Sequence, residues 1–185
     1  MPDLLFPREF FCFNVPYIPI FMNRIDSIQS KILNEKTLSS WLARMHFKKK
    51  KIVFTNGCFD ILHPGHIVYL SRAADSGDVL IIGLNSDASV RKLKGEGRPV
   101  VDQDSRALLL ASLCFVSAVV LFEEDTPQRL IQIIQPDVLV KGSDYMPEEI
   151  VGYDIVKARG GEVLTIDFVE GYSSSSIRRK IAETK

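Results

Sequence analysis

From residue 51 onward, short apolar runs alternate with stretches of helical period. Ile52-Val53-Phe54, led by the lysine cluster Lys48–Lys51, has the uninterrupted β-favouring character of a buried parallel strand. Asp78–Leu84, Ala118–Phe122, Val138–Val140 and Glu162–Ile166 predict four more strands. Between them the spacing predicts helices. One starts at Pro64 and carries Ile67, Val68, Leu70, Ala73 and Ala74. A second, short one opens at Asn85-Ser86-Asp87 and runs through Val90. Further helices cover Asp104–Leu113, Pro127–Gln135 before Pro136, and Pro147–Ala158 before Gly160-Gly161. Ser173–Ser176 cap a last helix with Ile177, Arg178, Arg179 and Ile181. Ahead of all this, Ile25, Ile28, Ile32 and Leu33, then Leu38, Trp41, Leu42 and Met45, recur at helical spacing, with Thr37 or Ser39 as a cap.

Strands alternating with helices imply an α/β fold: a Rossmann-like, doubly wound, parallel five-stranded sheet with helices on both faces. The expected organisation is an extension at 1–23, a helical segment at 24–50 and the α/β domain at 51–185. In the extension, Phe6, Phe10, Phe11, Phe13, Tyr17 and Phe21 are interrupted by four prolines without a period. It lacks the basic start and unbroken apolar core of a secretory signal. It reads as a dispensable, non-native or disordered segment with Met22 as the natural start, or else as an arm packing on its own domain or a partner.

Composition narrows the class. The chain has 185 residues, room for one domain and an appendage, and 23 basic residues balance 23 acidic ones. That balance gives no sign of a polyanion-binding surface and argues against a nucleic-acid partner. Cys12, Cys58 and Cys114 are scattered without a C-x-x-C pair, which disfavours a disulfide framework or zinc site and suits a reducing compartment. With no apolar run of about 18 residues, the reading is a cytoplasmic globular protein.

The chemistry concentrates where strands end. Asn56-Gly57 breaks the first strand, and His63 and His66 flank the start of the next helix, where N–H groups and the helix dipole attract phosphate. Lys92 and Lys94 precede Gly95 and Gly97 and read as a cationic lid on a mobile loop, or as a solvated basic loop. Lys141-Gly142-Ser143-Asp144 follows a strand and reads as a nucleotide contact or as a turn. Ser173, Ser174, Ser175 and Ser176 offer more hydroxyls than one cap needs, and Arg178 adds a positive charge. The groups are basic or hydrogen-bond donors, which suits a polyphosphate site better than a hydrolase. An acceptor phosphate is already a nucleophile, so such an enzyme needs alignment and charge stabilisation more than a base.

Thr55-Asn56-Gly57-Cys58-Phe59-Asp60 followed by His63-Pro64-Gly65-His66 resembles the signature of the nucleotidyltransferase superfamily, which includes cytidylyltransferases and several adenylyltransferases. From about Ser39 to Ile181 the chain is most similar to the adenylyltransferases of ADP-heptose synthesis. Gly83–Val90, Leu93–Val100, Glu124–Pro127, Pro136–Gly142 and Val169–Ser173 carry that likeness. It implies AMP transfer from ATP to D-glycero-D-manno-heptose 1-phosphate with Mg²⁺, giving pyrophosphate and the ADP-heptose used in lipopolysaccharide or other surface glycans. It further implies catalytic roles for His63, His66, Lys94 and Arg178. Nucleotide contacts are expected from Thr55 to Asp60, Gly65, Lys141, Gly142, Asp144, Tyr172 and the four serines. Acceptor contacts are expected from Asn85, Asp87, Lys92, Arg98 and Arg106. Mg²⁺ would be held mainly by the triphosphate rather than by side chains. Members are often fused behind a sugar kinase, so a separate heptose kinase is expected here, and a homodimer is a family-level expectation.

Two departures stand out. Ser143 occupies a position where the family has glycine, and serines replace a threonine among Ser174–Ser176. His63 argues against the pantetheine-phosphate adenylyltransferases, which lack the first histidine. The rival readings are a cytidylyltransferase acting on glycerol 3-phosphate or a similar alcohol phosphate, and a non-catalytic nucleotide-sensing module.

Overall fold

The computed structural model describes residues 23–143, 146–167, 169 and 171–183. The segment before residue 23 and the predicted contact Asp144 therefore lie outside the described residues. Six strands form one all-parallel sheet: β1 (Ile32–Leu33), β2 (Ile52–Gly57), β3 (Val79–Asn85), β4 (Ala118–Phe122), β5 (Val138–Gly142) and β6 (Glu162–Ile166). Their spatial order is β1-β4-β3-β2-β5-β6. The chain winds outward from β2 through β3 and β4, then returns to start β5 on the other side of β2. This makes the β2/β5 boundary a topological switch point, where open α/β sheets bind ligands at the strands' C-terminal ends.

The strand period explains the two cores. Ile52 and Phe54 of β2 point to one face and Val53 to the other; β5 repeats this with Leu139 against Val138 and Val140. On the first face pack Leu38 and Leu42 of α2 (Glu35–Phe47) and Leu130, Ile131 and Ile134 of α6 (Gln128–Ile134), together with Val156 of α7 (Tyr153–Ala158). The second face is covered by Tyr69, Leu70 and Ala73 of α3 (Pro64–Ala74) and Ala107, Leu110 and Ala111 of α5 (Gln103–Ser112). Among the described residues no helix is long and apolar enough to cross a membrane.

Three local differences from the sequence reading have clear causes. Ile32-Leu33 is a strand rather than helix: it pairs with Val119 and Val120, between a short α1 (Arg24–Gln29) and α2. Asn34, not Thr37 or Ser39, caps α2, accepting from the Thr37 N–H while the Thr37 hydroxyl accepts from the Asn34 N–H. The stretch expected as one helix at Pro147–Ala158 splits into a 3₁₀ turn (Pro147–Glu149) and α7, because Gly152 takes φ 96°.

Candidate functional site

β2 ends on Asn56-Gly57, and the chain turns sharply into α3. Phe59 takes φ 44°, a left-handed conformation unusual for a bulky side chain. Its buried ring lies against Gly57, where a Cβ would stand only 3.0 Å from the ring, so the glycine makes room for the turn. Pro64 occupies the first helical turn, and His63 is the N-cap, its Nδ1 accepting from the His66 N–H at 3.4 Å. The two imidazoles stack, with centroids 3.8 Å apart and planes 18° apart. Phe59 meets the His66 ring edge-on at 5.2 Å.

Burial lowers the pKa of both imidazoles. For His66, desolvation, the neighbouring His63 and the Lys94 charge together bring it to about 4. His66 is thus neutral at pH 7, and its Nδ1 is buried without a hydrogen-bond partner. A stacked, uncharged imidazole pair at a helix N-terminus can donate N–H groups to phosphate oxygens without adding a charge that the dipole would oppose.

His66 borders a cleft of about 480 Å³ at the switch point, whereas His63, stacked on His66, lies outside the cleft lining. The cleft is lined by Asn56 and Gly57 at the end of β2, Cys58 to Asp60 in the turn that follows, Asn85 at the end of β3, Lys141 and Gly142 of β5, and His66, Lys94 and Ser174. Lys141 Nζ is within 3.2 Å of the Asn56 side-chain oxygen and 3.4 Å of its backbone carbonyl, joining the two strands across the switch point. Asn85 is buried and donates to Ser89. Burial pushes the Cys58 thiol pKa up, outweighing the nearby Lys94 and Arg106 charges, so it is no ready nucleophile.

α8 (Ser174–Glu183) closes the site, and all four serines have distinct partners. Ser173 Oγ accepts from the Ser176 N–H, and the Ser176 hydroxyl donates back to the Ser173 carbonyl. Ser174 donates to the Ile61 carbonyl in the motif turn at 3.2 Å, and Ser175 accepts from Arg98. The Tyr172 ring lies parallel to His63 at 6.4 Å, and its Cβ stands 3.2 Å from where a Cβ on Gly65 would be. The opening β–α turn and the closing serine-capped helix therefore meet at one place.

Other expected site residues are distributed differently. α4 (Asp87–Lys94) continues past Val90, so Lys92 and Lys94 sit on its last turn rather than on a loop; Ser86 caps its start and Gly95, φ 83°, ends it. Lys94 faces the cleft, whereas exposed Lys92 pairs with exposed Asp125 at 3.4 Å. Arg98 is buried against Asp60, Nη1 to Oδ2 at 2.6 Å. Arg106, almost fully buried, donates to the carbonyls of Cys58 and Val101 and to Asp87, which is 2.7 Å away. The Thr55 hydroxyl is buried against the Tyr69 hydroxyl at 2.7 Å. Arg178 is exposed on α8 outside the cleft lining. The cleft also takes in Tyr69, Asp125-Thr126-Pro127 and Glu149-Ile150-Val151, which sequence reasoning did not place at the site. Their signal was available in part, since the segments at 125–127 and 149–151 come after β4 and β5 on the ligand-binding side of the sheet, whereas Tyr69 lies within α3.

Comparison with known proteins gives a consistent picture. Residues 54–180 match the cytidylyltransferase-like family. The chain is 54% identical over 152 residues to the bifunctional protein HldE of Citrifermentans bemidjiense, covering 82% of this chain and 31% of that protein. It is 61% identical over 137 residues to HldE of Campylobacter concisus, covering 74% and 28% respectively. The chain thus spans about a third of the length of these curated relatives. A lipopolysaccharide core biosynthesis protein from Thermoplasma volcanium superposes with a TM-score of 0.53 at 26% identity, over 67% of this chain and 99% of that one. Pantoate-beta-alanine ligase from Francisella tularensis, TM-score 0.57 at 18% identity over 82% of this chain and 77% of its own, shares the fold.

Proposed function

The chain belongs to the cytidylyltransferase-like family of nucleotidyltransferases, and on that footing we propose that it transfers AMP from ATP to D-glycero-D-manno-heptose 1-phosphate. The observation that carries this reading is the stacked, uncharged His63/His66 pair at the α3 N-terminus, with His66 lining the switch-point cleft. The heptose acceptor rests on the sequence motifs described above and on the HldE relatives.

The reaction follows from the placement of donors. The triphosphate lies across the α3 N-terminus, with its β- and γ-phosphates towards the imidazoles and Lys94. An acceptor phosphate oxygen forms a bond to the α-phosphorus. The bond from that phosphorus to its bridging oxygen breaks, and pyrophosphate leaves with the electron pair. No proton need be removed from the nucleophile, so the site's work is alignment and charge stabilisation rather than base catalysis. His63 and His66 stabilise charge on the leaving group through N–H donation. The 174–176 backbone fixes the triphosphate against the motif turn.

Family members that use ATP need a divalent ion. Among the described residues no group of three or more His, Cys, Asp or Glu side chains is arranged to hold one. Mg²⁺, when bound with ATP, would supply further neutralisation of the triphosphate charge, beside the donors His66 and Lys94 that line the cleft. The acceptor phosphate comes from a sugar kinase, as a separate chain or as further sequence of this one.

The test is pyrophosphate release with ATP or CTP, each paired with heptose 1-phosphate or glycerol 3-phosphate. Turnover with ATP and heptose 1-phosphate is expected. Turnover with CTP and glycerol 3-phosphate, and none with ATP, would replace this assignment by a cytidylyltransferase.

A further inference from the structure

Asp60 lies three residues before His63, at the bend between β2 and α3, and its carboxylate is saturated by the loop that follows α4. Oδ2 accepts from Arg98 Nη1 at 2.6 Å, and Oδ1 accepts from the Val100 and Val101 N–H groups at 2.6 and 3.0 Å. Burial raises the carboxyl pKa, but the Arg98 and backbone hydrogen bonds outweigh it and hold it below its ordinary value. Arg98 is itself buried, and its second nitrogen, Nη2, reaches Ser175 Oγ on the first turn of α8 at 3.3 Å. One guanidinium therefore bridges the motif turn and the closing helix. Beside it, Ser174 donates to the Ile61 carbonyl between the same two segments. The planar fork makes this double engagement possible; a lysine ammonium could pair with Asp60 but could not span to Ser175 with the same rigidity.

We propose that Arg98 is a positioning residue: an internal strut that sets the distance between the imidazole pair and the serine cap, and touches neither nucleotide nor acceptor. This proposal rests on the nucleotidyltransferase reading of the cleft and deepens it. Both walls that would hold the triphosphate are joined through Arg98, while at the neighbouring Gly95 and Gly97 a Cβ would meet nothing within 4 Å. A misplacement of about 1 Å between catalytic walls costs on the order of a hundredfold in rate, so such a strut acts on kcat rather than on acceptor affinity.

The experiment compares Arg98→Lys, Arg98→Ala, Ser175→Ala and the Arg98→Ala/Ser175→Ala double variant with the unaltered chain. Steady-state kinetics should show kcat reduced roughly tenfold in Arg98→Lys and roughly a hundredfold in Arg98→Ala, with acceptor KM changed less than threefold. The double variant should lose no more than Arg98→Ala, because Ser175 acts through Arg98. A tenfold rise in acceptor KM at constant kcat would make Arg98 a substrate contact and overturn the strut. Amide hydrogen exchange without any ligand separates this proposal from the functional reading. In Arg98→Ala, exchange at Ser174–Ile177 and at Ile61–His63 should rise about tenfold while β3 stays protected. Unchanged exchange at both segments would refute the strut whatever the substrate, as would uniform loosening that includes β3. Absent turnover in the unaltered chain, with the local exchange response intact, would instead refute the assigned reaction.

Discussion

Replacing His66 by glutamine should remove the part of the pH dependence of stability between pH 6.5 and 4 that His66 contributes. Unfolded, an imidazole takes up its proton near 6.5; in the native site burial, His63 and Lys94 lower that to about 4. Between these values the unfolded chain binds the extra proton, so stability is intact above pH 6.5 and falls as the pH drops towards 4. A depression of this size, at about 1.4 kcal/mol per pH unit, corresponds to about 3 kcal/mol lost across the window. Asp60 contributes in the same direction but later, since its lowered pKa gives stability that is lost only below the ordinary carboxylate value of 3.8. His63, also lowered, remains in both proteins and cancels in the difference. The assay is urea unfolding of the unaltered and His66→Gln chains at pH 7, 6, 5 and 4.3. The gap between the two should close by about 2–3 kcal/mol on going from pH 7 to 4.3. Parallel curves would mean that the native site does not depress the His66 pKa.

Three further substitutions probe separate parts of the site. Gly65→Ala would bring a methyl group to 3.1 Å from His63 Nδ1 and 3.2 Å from Tyr172 Cβ. The helix gains up to about 1 kcal/mol from alanine, so a near-constant melting temperature with turnover down at least tenfold is expected; unchanged turnover would show that the ring and the Tyr172 segment yield freely. Lys94→Met should lower kcat/KM for ATP at least tenfold, whereas Lys92→Met, which removes an exposed pair with Asp125, should change it less than threefold. Equal effects would remove the distinction between the two lysines. Arg106→Met leaves the Cys58 and Val101 carbonyls and Asp87 without their donor, and should destabilise the fold by about 3–5 kcal/mol in chemical denaturation; a loss below 1 kcal/mol would contradict a structural role.

The parallel sheet and the motif turn were legible because their signals are local. Runs such as Val79–Leu84 are apolar on both faces, and Pro64 after His63 marks a helix start without any tertiary information. β1 was not legible: Ile32 and Leu33 continue a helical spacing, and only their pairing with Val119 and Val120 makes them a strand. α4 was read too short because its last turn is charged, yet an exposed face tolerates Arg91, Lys92 and Lys94, and basic groups suit a helix C-terminus. The arginines illustrate a deeper limit. Arg98 and Arg106 look like ligand contacts in sequence, but their partners, Asp60 and Asp87, lie 38 and 19 positions away, and only the fold brings them together. Likewise four successive serines suggested phosphate ligands, while each hydroxyl has a structural partner.

A crystal structure with Mg²⁺ and a non-hydrolysable ATP analogue tests the central claim most directly. The triphosphate should lie within hydrogen-bonding distance of the His63 and His66 ring nitrogens and the 174–176 backbone, in the cleft between β2 and β5. The lysine-lined hollow at the other end of these strands, about 490 Å³ between His46, Lys49–Lys51 and Arg159, offers an alternative seat for polyphosphate. A triphosphate found there, with the switch-point cleft empty, would contradict the account.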